Sequence, residues 1–180
     1  MTRIQKANYL LVAGNGRNVG KTHLSCKIIR HLAKNVDVIG VKISSHFHPV
    51  ENNTVLVKNK KFVLVEETQV TQKDSSLMKQ AGAQKVYFMM AAQENLKAAF
   101  SVLEKLLPEK AIVCESGGLH EIINPGLFLF VNRDGSELTK QHHLVYSPIQ
   151  IQNNGKMFDF DITRIKFKNK RFLIQNRKED

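Results

Sequence analysis

The chain has 180 residues, a size at which a single domain buries a core without metal or disulfide staples. Its two cysteines, Cys26 and Cys114, stand in apolar runs without Cys-x-x-Cys spacing, so they read as small core residues of a cytoplasmic protein rather than a disulfide framework. The net charge of +11 suits anionic partners, and no apolar run approaches the length of a membrane span.

The opening Met1 to Lys6 leads directly into the apolar run Tyr9-Leu10-Leu11-Val12-Ala13, so a first strand is expected and no signal peptide. Leu24, Ile28, Ile29 and Leu32 recur at helical spacing with Lys27, Arg30 and Lys34 opposite, which predicts an amphipathic helix over about 20–34. Val36 to Ile43 follows as a strand, making a βαβ opening with a parallel sheet. The segment Ser44 to Lys60 reads as loop with a turn at Asn52-Asn53, and Lys61 to Glu66 as a short strand or hairpin arm. A helix from Lys73 ends near Gly82, and Lys85 to Met90 is a strand.

A longer helical stripe from Asn95 to Leu106 stops before Pro108, and Ala111 to Cys114 returns as an apolar strand. Leu127 to Val131 is another. Lys156 to Ile174 alternates as an antiparallel hairpin turning at Lys168-Asn169-Lys170. Its cations, with Arg177 and Lys178 beyond, read as the solvated face of an edge strand, and no recognition helix or stacking motif argues for nucleic acid. The expectation is one α/β domain over 1–180, with a mostly parallel central sheet, a C-terminal hairpin, and 136–180 as an extension of unassigned role.

The segment Gly14-Asn15-Gly16-Arg17-Asn18-Val19-Gly20-Lys21-Thr22 lies between the first strand and the first helix. A strand that turns through glycines into a helix makes a phosphate cradle: the backbone approaches the anion closely, and the helix N-terminus points positive charge at it. Lys21 is suited to the terminal phosphates and Thr22 to Mg²⁺, so Gly14 through Thr22, with the adjoining His23, are the expected nucleotide-binding residues. Five residues separate Gly14 from Gly20, one more than the usual rule.

Glu115 follows an apolar strand, at the end where parallel sheets place ligand groups, and is expected to hold Mg²⁺ directly or through water; a turn carboxylate is the plainer alternative. Lys42 ends the second strand and is expected to neutralise phosphate or carboxylate. Lys21, Lys42 and Glu115 form the expected catalytic set, and Thr22, Asp74 and Glu115 the expected metal set. Asp74 with Ser75 and Ser76 equally suits a helix N-cap. His46 and His48 lack a third metal ligand and read as loop histidines, as do His142 and His143, which have no role assigned. Asn132-Arg133-Asp134-Gly135 reads as a turn, with Asn132 placed to touch a base edge.

The form Gly-x-x-x-x-Val-Gly-Lys-Thr resembles the phosphate-binding loop of dethiobiotin synthetase and its relatives, which include the molybdopterin-guanine dinucleotide biosynthesis protein B (MobB) family. Ile112 to Leu119 resembles the Val-Glu-Gly elements of both, with Ser116 in place of a glycine. Lys42 matches the lysine of the MobB Lys-His pair, without the immediate histidine, and Asp74-Ser75 and Ala81-Gly82-Ala83 resemble further MobB elements. The resemblance covers Tyr9 to about Val131 and implies a three-layer P-loop NTPase fold using Mg²⁺ with ATP or GTP. Similarity to MobB implies a homodimeric accessory protein with slow hydrolysis and a partner enzyme in molybdenum cofactor biosynthesis. Similarity to dethiobiotin synthetase implies an ATP-dependent ligase or kinase acting on a small anionic substrate. A basic nucleic-acid-binding module with a regulatory phosphate loop stands as the third alternative.

Overall fold

The computed structural model describes residues 2–50, 54–68 and 74–176, with the side chain of Asp74 outside this set. The expected Asn52-Asn53 turn, the Lys73 helix start, Arg177 and Lys178 lie outside the described residues. In chain order the elements are β1 (Ile4–Gly14), α1 (Lys21–Leu32), β2 (Val38–Ser44), β3 (Thr54–Lys58), β4 (Phe62–Glu66), α2 (Asp74–Gln80), β5 (Lys85–Ala91), α3 (Leu96–Glu104), β6 (Ala111–Glu115), β7 (Ile123–Arg133), β8 (Ile149–Asn153), β9 (Ile165–Lys168) and β10 (Arg171–Ile174).

Eight strands form one sheet in the order β3-β4-β5-β2-β6-β1-β7-β8. From β5 to β8 every pairing is parallel, and β4 and β3 add an antiparallel edge. The central strands read as continuous apolar runs because both faces are covered. On β1, Leu10 and Val12 pack with Leu24, Ile28 and Ile29 of α1 and Met78 of α2. Tyr9, Leu11 and Ala13 pack on the other face with Leu96, Ala99, Phe100 and Leu103 of α3. All of these side chains are buried. No helix among the described residues is long and apolar enough to cross a membrane.

Two strands depart from the expected element order. β3 lies within the segment read as loop; four of its five residues are exposed, so no apolar alternation marked it. β8 pairs in parallel with β7 and buries only Ile151 and Asn153, too brief a pattern to register as a strand. The terminal hairpin is antiparallel as expected, but its first arm starts at Ile165 rather than near Lys156. Ahead of it, Asp161 caps a single helical turn by accepting from the Thr163 N–H at 2.9 Å, which interrupts the extended backbone. The turn residues Asn169 and Lys170 have φ of 50° and 57°, the left-handed pair that a two-residue hairpin loop uses. The hairpin is a separate two-stranded sheet, and its Ile165 and Phe172 join the core beneath α1.

His120 and His143 are buried, with ring centroids 4.2 Å apart. His120 also stacks on Phe128 at 5.3 Å, and His143 meets Phe130 at 5.2 Å. Burial pushes the His120 pKa down to about 3, helped by His143, His142, Arg3 and Lys140; burial, then His142 and Lys140, pushes His143 to about 4. Both rings are therefore neutral in the fold, whereas the unfolded chain binds their protons below about pH 6.5. Their contribution to stability is complete above that value and is lost as the pH falls towards 4 and 3. Urea midpoints measured from pH 7 to pH 4 should fall more steeply for the wild type than for a His120→Phe/His143→Phe variant. Parallel profiles would remove the assignment.

Candidate functional site

The loop after β1 is shaped by close approach. A Cβ on Gly14 would lie 2.7 Å from the Val131 carbonyl oxygen and 2.8 Å from Val19 Cγ2, so only glycine fits. Asn18 (φ 58°) and Gly20 (φ 103°) then turn the backbone through the left-handed region into α1. Gly20 supplies no side-chain cap and the first turn of α1 has no acidic residue. Instead the helix opens with Lys21, whose Nζ folds back to donate to the Gly16 carbonyl. A cation at the positive end of a helix with uncapped donors is the reverse of what a helix favours in isolation, and an anion bound there reverses the sign of that cost. Gly16, Gly20, Lys21 and Thr22 line an open cleft of about 1250 Å³.

Glu115 ends β6, between β1 and β2, and its register partners are Val12 and Lys42. Its carboxylate is buried, so it needs partners. Thr22 Oγ1 donates to Oε2 at 2.8 Å, and Lys42 Nζ forms an ion pair with Oε1. The structure thus brings together three expected site residues from three different elements. Two oxygens 2.8 Å apart match adjacent ligands of an octahedral Mg²⁺, which at bonds of about 2.1 Å sit about 3 Å from each other. The donor set is all oxygen, as Mg²⁺ prefers. No group of three His, Cys, Asp or Glu able to hold a metal occurs among the described residues, so phosphate and water are left to complete such a shell. Next to it, burial and then Glu115 raise the Cys114 pKa, which keeps the thiol protonated and unsuited as a nucleophile. Ser116 accepts from the N–H groups of Gly118 and Leu119 at 3.3 and 3.2 Å, closing the turn that follows.

Two asparagines fasten the loop to the chain beyond residue 131. Asn15 is buried, and its Nδ2 donates to Asn132 Oδ1 at 2.9 Å and to the Glu137 carbonyl at 2.6 Å. Its Oδ1 accepts the N–H groups of Thr139 and Lys140 at 2.9 and 3.0 Å, while its own N–H donates to the Val131 carbonyl at 3.0 Å. Asn153, at the end of β8, donates from Nδ2 to the Val19 carbonyl at 2.8 Å. Asn132, expected near a base, has its Oδ1 engaged by Asn15 and by Ser136 Oγ at 3.0 Å. Sequence spacing carried no sign of Asn153 or of the partners of Asn15, because they lie well over a hundred residues away.

Of the remaining expected residues, Arg17 and His23 line the same cleft. Arg17 is exposed, with Nη2 3.0 Å from His46 Nε2. His23 is exposed, 5.6 Å edge-on to Phe158, and its pKa is lowered by partial burial and then by Lys27 and Arg30. Asp74 opens α2, but the metal role expected of its side chain falls outside the described residues. Glu67 was not among the expected residues: it is buried in the same cleft and accepts from Ser75 Oγ at 2.8 Å. It immediately follows β4, at the antiparallel edge, where the parallel-strand rule that pointed to Glu115 does not apply.

The Lys42–Glu115 pair is largely removed from water, so each charge depends on the other. In a Lys42→Met and Glu115→Gln double-mutant cycle, urea denaturation should give a coupling of about 1–3 kcal/mol. Additive losses would show the pair to be energetically independent. Comparisons of this chain with protein-family models, curated proteins and solved structures gave no match.

Proposed function

We propose that this chain is a P-loop nucleotide-binding protein that takes Mg²⁺ with a nucleoside triphosphate, ATP or GTP, in the cleft at the head of α1 and hydrolyses it slowly. The observation that carries the reading is the meeting of Thr22 and Glu115 at 2.8 Å beside an uncapped helix start that opens with a lysine. In this reading the backbone of 16–22 cradles the phosphates and Lys21 leaves the Gly16 carbonyl for the terminal phosphates. Magnesium, held by Thr22 and Glu115, supplies charge neutralisation on the phosphate oxygens. Lys42 balances the carboxylate and adds positive charge to the same cleft.

The ordered series of the phosphate loop, Lys42, Asp74, Ala81-Gly82-Ala83 and Glu115 supports a MobB-like accessory role in molybdenum cofactor biosynthesis, with a partner enzyme as the beneficiary of hydrolysis. A second reading, phosphoryl transfer or ligation on a small anionic substrate as in dethiobiotin synthetase, is favoured by the extension of the cleft past Lys42 to Glu67 and Ser75.

Calorimetry with ATP, GTP, ADP and GDP, each with and without Mg²⁺, tests the proposal. Triphosphate binding should strengthen with Mg²⁺, and Lys21→Ala should weaken it by about ten- to a hundredfold while the melting temperature holds. Unchanged affinity in that variant would remove the central claim. Glu115→Gln should keep nucleotide affinity within about threefold yet suppress Mg²⁺-dependent turnover, because the metal shell loses its charge while the backbone cradle remains. Normal turnover by Glu115→Gln would refute the metal role.

A further inference from the structure

We propose that Lys140 is a further phosphate-binding cation, directed at the terminal phosphate of the bound triphosphate. The inference rests on the triphosphate reading above and adds a residue from the segment beyond 136. The backbone N–H groups of Thr139 and Lys140 both donate to Asn15 Oδ1, at 2.9 and 3.0 Å, and Asn15 Nδ2 holds the Glu137 carbonyl at 2.6 Å. Asn15 is only 6% exposed, so this strap is fixed to the phosphate loop from inside. Lys140 is delivered by backbone contacts, which leaves its side chain out of the anchoring.

Direction comes from Lys21. A lysine at that place in a phosphate loop serves the β and γ phosphates, and here its Nζ rests on the carbonyl of Gly16, which marks Gly16 as the terminal-phosphate end of the loop. Asn15 is the neighbour of Gly16, so the strap brings Lys140 to that end, where it lines the same cleft. Lys140 is half-buried, and its ammonium has no hydrogen bond or ion pair among the described residues. A cation supplied by the same chain beside the terminal phosphate neutralises the charge that distinguishes a triphosphate from a diphosphate.

The test is calorimetry in the presence of Mg²⁺ on the full chain and on Lys140→Ala, Lys140→Gln and Lys140→Arg, using non-hydrolysable analogues of ATP and GTP alongside ADP and GDP. Loss of the charge in the Ala and Gln variants should weaken triphosphate binding by about ten- to a hundredfold and diphosphate binding by no more than about threefold, with Lys140→Arg close to wild type. Melting temperatures should be unchanged, because Asn15 grips the backbone of residue 140 and not its side chain. Equal losses for both nucleotide classes, or no loss, would overturn the role of Lys140 and leave the nucleotide site standing. A wild-type chain that binds none of these nucleotides would overturn the nucleotide reading itself, and Lys140 with it.

Discussion

A carboxylate buried at the end of a central strand constrains this molecule more than any other group. Glu115 is 3% exposed, and a charge so placed is tolerated only with an opposite charge and hydrogen-bond donors around it. Its partners come from β2 and from α1, which are separated from it in sequence by 73 and 93 residues. They converge because β6 inserts between β1 and β2, so that the chain leaving β1 crosses over a strand not yet made. The strand order, the start of α1 and the cleft are thus three views of one electrostatic requirement.

The parts of the fold legible in the sequence were those whose signals are local. The apolar run into β1, the stripe of Leu24, Ile28 and Ile29, and the run ending at Glu115 each carry periodicity or burial within ten residues. The two strands without such a signal sit at the two edges of the sheet, where β3 is almost wholly exposed and β8 buries two side chains. Edge strands are defined by their neighbour's hydrogen bonds, and those are invisible from within a five-residue window.

The candidate site divides on the same line. Glycines, Lys21 and Thr22 announce themselves by spacing, and Glu115 by its place after an apolar strand. Asn15 reads as an interruption of the glycine pattern until its partners at 132–140 are seen. Asn153 reads as a polar residue at the end of a short polar run, yet it holds the carbonyl of Val19 inside the loop. A glycine-rich loop gains conformational freedom from its sequence and loses it to these two side chains. The fixing of this loop is therefore a tertiary property, contributed by residues 132–153.

That arrangement has a consequence for the biosynthesis of the chain. Residues 14–22 leave the ribosome well before Asn153, which holds Val19 and follows seven of the sheet's eight strands in the chain. At roughly 5–20 residues per second the interval between Thr22 and Asn153 lasts on the order of ten seconds. For most of that time the nascent loop has neither the strap at 137–140 nor the β8 anchor, and the sheet lacks its last parallel strand. The loop between β1 and α1 is thus completed by segments translated long after it.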